Sequence, residues 1–236
     1  MLLLAVNFCC YLLAVAQTSG NGTNPEGLPR WKTVNVTEGV LRGRLEQSRA
    51  PHGKHYYSFQ GIPYAKPPVG DLRFKAPRSP EPWDGVRDAS RVGPVCVQPS
   101  RAGVTGSEDC LFLNVYVPAR PEEFDNASLS VMVFVHAGGL IRGSGNADIY
   151  GPDYFTDNGV VLVTLNYRLA ALGFLSLDSD QVSGNNSLKD LVAALQWARR
   201  NMAAFDANPW DITVAGQGSG AWCVEYLMML PCLKVC

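Results

Sequence analysis

Hydrophobic and polar positions divide this chain into short strands, one long amphipathic helix and one helix that is apolar nearly all round. Val34 to Leu45 alternates around Glu38-Gly39, which predicts a small hairpin. His55 to Tyr64, HYYSFQGIPY, predicts an aromatic strand, and the proline-rich Pro67 to Pro82 an ordered coil. Cys110 to Val117, CLFLNVYV, alternates as a strand does. Val131 to His136 and Val160 to Asn166 are continuous apolar runs, which suit strands buried on both faces. From Ser187 to Phe205, Leu188, Leu191, Val192, Leu195, Ala198 and Met202 keep helical spacing. Ser187 followed by Asp190 predicts a capping box, and Asn208-Pro209 a stop. Ile212, Val214 and Ala215 predict a short buried strand, and Ala221 to Leu230 the apolar helix. Strands, crossover helix, strand, helix is the order of an α/β fold, and no internal domain boundary interrupts it.

Between the last strand and the last helix stand Gly216, Gly218 and Gly220. Strand, glycine turn, helix is the setting of the nucleophile elbow, G-x-S-x-G. The outer glycines are in frame, but the middle position is Gly218, which has no oxygen to attack an ester. Two rival readings fit less well. A nucleophile at Ser219 needs glycines at 217 and 221, where Gln217 and Ala221 stand. Gly216, Gly218 and Ala221 also fit a dinucleotide fingerprint, G-x-G-x-x-A, which wants an acidic residue about twenty positions on; Glu225 lies inside the predicted helix instead.

Composition adds compartment and partners. With 236 residues, 47% of them hydrophobic, the chain has apolar mass for one large core. A net charge of −1 makes no electrostatic case for nucleic acid or for an anionic membrane. Met1 to Ala16 is a short apolar stretch ending Ala14-Val15-Ala16, which predicts a signal peptide cleaved after Ala16 and a secreted protein. No other stretch is long enough to span a bilayer. Gln17 to Thr33 is expected to be flexible, with the folded domain from Val34 to Cys236. Behind a signal peptide five cysteines remain, Cys96, Cys110, Cys223, Cys232 and Cys236. Cys96 and Cys110 flank a polar loop and are disulfide candidates, and five is odd, so one thiol stays free or pairs with another molecule. Closing a loop near that size contributes roughly 3 kcal/mol. Asn21, Asn35, Asn126 and Asn185 head N-glycosylation sequons. No metal or cofactor motif is present.

Four longer motifs carry a resemblance. GIPYAKPPVGDLRFKAP (Gly61–Pro77), SEDCLFLNVYVP (Ser107–Pro118), GPDYF (Gly151–Phe155) and NYRLAALGFLS (Asn166–Ser176) resemble type-B carboxylesterases. That family includes cholinesterases, insect esterases and the non-enzymatic neuroligins, and the resemblance runs from about Val34 to Leu230. It implies the N-terminal portion of an α/β-hydrolase fold: a small antiparallel sheet, then a central, mostly parallel one. His136-Ala137-Gly138-Gly139 resembles the oxyanion-hole loop, with Gly138 and Gly139 as donors and Ser219 N–H as the third. The resemblance further implies a Cys96–Cys110 disulfide and two ion pairs, Arg73 with Glu108 and Arg168 with Asp190. The tryptophan that cholinesterases carry between those cysteines is missing, which counts against a choline site.

Enzymes of that family are more than twice this length and place the acid and histidine of their triad beyond the elbow, as α/β-hydrolase chain order requires. The histidines here, His52, His55 and His136, all precede it. The expectation is a secreted family member, truncated after the elbow and without ester hydrolysis, since losing a triad costs about a millionfold in rate. The alternatives are an adhesion or ligand-binding member, since neuroligins also carry glycine at this position, or part of a longer hydrolase. A small ester-like ligand fits the first reading, a protein partner the second. An open edge at the elbow strand is expected to make the chain unstable by itself.

Overall fold

A computed structural model describes residues 22–124, 128–179 and 181–229. The proposed signal peptide, Asn21, Asn126, Cys232 and Cys236 lie outside the described residues. Twelve strands and four α-helices are described: β1 (Trp31–Val36), β2 (Gly39–Gln47), β3 (His55–Pro63), β4 (Val86–Asp88), β5 (Gln98–Ser100), β6 (Gly103–Thr105), β7 (Phe112–Pro118), β8 (Leu129–Val135), α1 (Asp153–Asp157), β9 (Val161–Leu165), α2 (Ala170–Phe174), β10 (Ser176–Ser179), β11 (Val182–Ser183), α3 (Asn186–Asn201), β12 (Ala207–Gly216) and α4 (Ser219–Met229).

One mixed sheet organises them, in the order β1-β2-β3-β7-β9-β8-β12, with β4 beside β2. From β1 to β9 the neighbours along this path run antiparallel; β9, β8 and β12 run parallel. The expected small N-terminal sheet is therefore not separate. β3 pairs with β7 and joins it to the centre. The central runs are buried on both faces, as their composition predicts. Val131, Val133, Val135, Val161, Val163 and Leu165 pack in the main core, while Leu162 joins Tyr56 and Tyr116 in a second cluster. Each such aliphatic side chain contributes roughly 1.5–3 kcal/mol on burial.

Three expectations need correction. Ser187 does not cap α3. Its hydroxyl donates to the Arg168 carbonyl inside the core, Asp190 faces Arg168, and Asn185 takes the cap position at φ +53° without a side-chain cap bond. Burial decides this: a Ser hydroxyl and an Asp carboxylate that are wholly buried must find partners there. Next, Asn208-Pro209 does not separate helix from strand. A 3₁₀ turn at Met202–Phe205 ends the helical run, and β12 already begins at Ala207. Its register on β8 shifts between Ala207 and Ile212, and a proline without an N–H is tolerated on such an irregular edge. β12 is ten residues long and largely half-exposed, because among the described residues only β8 pairs with it.

Third, the stretch up to Thr33 is held rather than free from Asn24 onward. Asn24 Oδ1 accepts the N–H groups of Glu26 and Leu28, Tyr57 donates to Pro29 O, and Trp31 to Thr33 already belong to β1.

Candidate active site

The elbow is built by steric necessity. β12 ends at Gly216 and α4 starts at Ser219, so only Gln217 and Gly218 make the turn. A Cβ on Gly216 would come within 2.6 Å of the Gly220 carbonyl, and one on Gly220 would collide with the Val135 carbonyl oxygen. Nothing larger than glycine fits at either position, because the strand and helix cross too closely there. Gly218 differs. It sits at φ +53°, and a Cβ there would meet only the Ala137 Cβ, at 3.6 Å. The turn has space for a side chain at 218 and carries none.

The loop after β8 faces this turn. Gln217 N–H donates to Val135 O (3.2 Å), tying the elbow to the end of β8. Gly138 has φ +133°, and any Cβ there would overlap the Arg142 carbonyl. Ile141 and Arg142 N–H groups both reach back to Gly138 O, at 3.3 and 3.2 Å. The Ala137 N–H donates to Tyr150 Oη (3.1 Å), and Tyr150 Oη–H donates to Gln217 Oε1 (2.9 Å). One tyrosine hydroxyl thus bridges loop and elbow. Gln98 clamps the far end of the loop: its Oε1 accepts Gly143 N–H (2.8 Å) and its Nε2 donates to Gly143 O (3.0 Å). Sequence spacing gave no signal for Tyr150, Gln217 or Gln98, because each acts through a partner distant in the chain.

Among the described residues the N–H groups of Gly138, Gly139 and Ser219 donate to no acceptor. Ser219 N–H belongs to the first turn of α4, where the helix supplies no carbonyl and the dipole favours negative charge. Both features suit an anionic or carbonyl oxygen.

His136 is buried and stacks on Tyr167, ring centroids 4.4 Å apart. Its Nδ1 lies 2.7 Å from Ala137 O, so that nitrogen carries the proton and donates. Burial pushes its pKa down to about 4, which keeps the ring neutral at physiological pH. Its Nε2 has no partner among the described residues. His55 is held by Glu26 (Nδ1–Oε2 3.1 Å) and Asn24, while the backbone N–H of His52 donates to Asp157. Ser219 Oγ is buried and has no hydrogen-bond partner among the described residues.

The supporting pairs are in place. Cys96 and Cys110 are joined, S–S 2.08 Å, while the Cys223 thiol has no disulfide partner among the described residues, is buried, and is pushed up to about 11 by that burial. Arg73 grips Glu108 in a fork at 2.6 and 2.8 Å near the surface, where solvent weakens the attraction. Arg168 and Asp190 form a buried fork at 2.6 and 2.8 Å, completed by the Arg168 N–H at 3.1 Å. Burial pushes the Asp190 carboxyl up and the three Arg168 bonds oppose it. Arg168 Nη1 also donates to Lys75 O, so the pair staples α3 to the proline-rich coil.

Residues 30–234 match the model of the Carboxylesterase family. This chain belongs to the carboxylesterase family. It is 44% identical over 207 residues to juvenile hormone esterase of Tribolium castaneum, which covers 86% of this chain and 34% of that protein. It is 43% identical over 206 residues to esterase E4 of Myzus persicae, covering 85% and 36%. Among solved structures, juvenile hormone esterase from Manduca sexta with OTFP covalently attached superposes with a TM-score of 0.75 at 40% identity, covering 82% of this chain and 37% of that one. A PNB esterase superposes with a TM-score of 0.76 at 40% identity, covering 86% and 41%. The chain spans about a third of the length of the curated relatives it matches. The α/β-hydrolase fold follows from these likenesses, and the described residues hold part of it. No described helix is long and apolar enough to cross a membrane.

Proposed function

We propose that this chain is a secreted carboxylesterase-family protein that holds an ester or carboxylate at the glycine turn without hydrolysing it. One observation carries the reading: the turn leaves open space at position 218, where a Cβ would meet only the Ala137 Cβ at 3.6 Å, and Gly218, at φ +53°, supplies no hydroxyl. Without it no acyl-enzyme forms. The N–H groups of Gly138, Gly139 and Ser219 are the proposed oxyanion donors. In a hydrolase each such donor is worth about 3 kcal/mol on the developing charge. Here they are left to a ligand's carbonyl or carboxylate oxygen. None of the three histidines is placed to activate a nucleophile, which supports the same reading. Gly218 equally favours a non-enzymatic, partner-binding role of the neuroligin kind. Because the relatives are longer, the activity of the whole protein belongs to this proposal too.

The test is direct. The purified chain is expected to turn over no p-nitrophenyl acetate and to take no label from a fluorophosphonate. Gly218→Ser is expected to be equally silent, since a serine needs an adjacent base. Turnover above a heat-inactivated control, abolished by an organophosphate, would overturn the reading. Binding has its own arm: a short-chain carboxylate should bind saturably by ligand-observed NMR. Ser219→Pro removes one donor at the first helical position, where proline is tolerated. That variant is expected to bind about tenfold more weakly.

A further inference from the structure

The outer edge of the sheet at β1 carries a chemical group whose placement the fold does not use. Val34 and Val36 point into the core, so Thr33 and Asn35 point out. Asn35 is exposed, and its side chain makes no hydrogen bond among the described residues. It heads the sequon Asn35-Val36-Thr37, which runs off the end of β1 into the hairpin turn. Among the described residues β1 pairs with β2 alone, so its other side presents N–H and C=O groups that are unpaired there.

We propose that Asn35 carries an N-linked glycan, attached before β1 closes onto β2, and that this glycan shields the β1 edge from other strands. The proposal rests on the secretory reading above. In the transfer, Asn35 Nδ2 bonds to the anomeric carbon of a lipid-diphosphate-linked oligosaccharide. The bond from that carbon to the diphosphate oxygen breaks, the lipid diphosphate leaves with the electron pair, and one amide proton passes to a base.

Timing follows from the folded geometry. The N–H and the hydroxyl of Thr37 both donate to Asn201 Oδ1, each at 2.8 Å. Asn35 itself is in register with Val40 across the hairpin, and Val36 is buried. Thr37 is exposed, but its N–H and hydroxyl are bonded to Asn201 and Val36 is buried, so an enzyme that must read an extended tripeptide through its hydroxyl finds the folded one held at both positions. Transfer therefore precedes docking of the hairpin on the end of α3. Once attached, a bulky hydrated glycan beside the strand blocks another chain from adding to it. Asn185 is the natural comparison. It too is exposed, but it stands at the start of α3, and Asn186 and Ser187 of its sequon are wholly buried. Asn185 belongs to neither edge strand, β1 nor β12.

The full chain is translated with microsomes in two forms, with its own first sixteen residues and behind a foreign leader in their place. Glycans are released enzymatically in heavy-oxygen water, so that an occupied asparagine becomes a labelled aspartate in the peptide map. Asn35 is expected to be labelled in the translocated chain, and N35Q to lose one glycan step in mass. Chain that is folded first and then exposed to the transfer machinery is expected to stay unmodified at Asn35. N35Q, and wild type stripped of its glycans after folding, are expected to associate several-fold more than N185Q by light scattering. An unlabelled Asn35 behind the foreign leader would overturn the site, and association of N35Q equal to that of N185Q would overturn the shielding. Failure of the native leader with Asn35 labelled behind the foreign one would sink the secretory reading and support the site.

Discussion

The two edges of this sheet are finished differently. At β1, the strand ends in a polar clasp: Thr37 on Asn201, Lys32 on Asp206 at 2.9 Å, and the Trp197 Nε1–H on buried Glu38 at 3.0 Å. At β12, a groove of about 550 Å³ runs between α3, β12 and α4, lined by Leu195, Ile212, Val214, Val224 and Leu227. Trp210 lies 82% exposed on its rim, with the Arg199 guanidinium stacked over it, and Trp222, Tyr226, Met228 and Met229 are exposed on α4. The first edge resembles the border of a soluble protein. The second has the composition of an interior, with apolar side chains and unpaired strand groups side by side. Core-like composition at an edge is a liability in free solution, and the elbow lies at that same edge. α3 spans both, clasping the β1 hairpin through Asn201 and flooring the groove through Leu195.

Because α3 serves both edges, loosening it is expected to have the largest effect. Arg168→Ala leaves Asp190 buried without its partner, and breaking such a pair costs about 3–5 kcal/mol. Chemical denaturation should show that loss, with both edges exchanging amide hydrogens faster. Loss confined to one edge would mean that α3 does not couple them.

Between pH 6.5 and 4, acid is expected to act first on the elbow side. The folded pKa of His136 lies below its ordinary value of 6.5, near 4. Above pH 6.5 both states are neutral there and the group contributes nothing. As pH falls from 6.5 toward 4, the unfolded chain takes up a proton that the folded chain refuses, so stability falls. A shift of this size amounts to roughly 3 kcal/mol at the acid end. Amide exchange should rise first around β8, the elbow and α4 while the β1 hairpin stays protected. His136→Gln should flatten that part of the pH profile.

A smaller effect is expected at the polar edge. Glu38→Ala strands the buried Trp197 indole N–H, which costs about 1–3 kcal/mol by thermal unfolding. The gap between the edges should then narrow. The smallest change in stability is expected from Trp210→Lys, within about 1 kcal/mol because that side chain is open to solvent. Its readout is association. A charged gatekeeper on β12 should lower self-association by sedimentation velocity, whereas Thr33→Lys on β1 should change it little. Equal responses would erase the contrast.

Local pattern was sufficient for much of this molecule. Alternation and continuous apolar runs placed β1, β2, β3, β7, β8 and β9, helical spacing placed α3, and the glycine spacing placed the elbow with its missing hydroxyl. These signals are short-range: a side chain's face follows from a period of two or 3.6 whatever it packs against. The roles of Ser187, Asp190, Tyr150 and Gln98 were not legible, because each depends on a partner brought close only by folding. The same reason explains β12. A run such as Ile212 to Ala215 looks like a buried strand in any chain, since its residues are apolar. Whether a neighbour lies on one side or both is settled by strand order, and among the described residues β8 alone adjoins it. The residue at position 218 is read from the sequence by itself; that the turn around it has room for a side chain, with unpaired N–H groups nearby, is decided by three segments packing together.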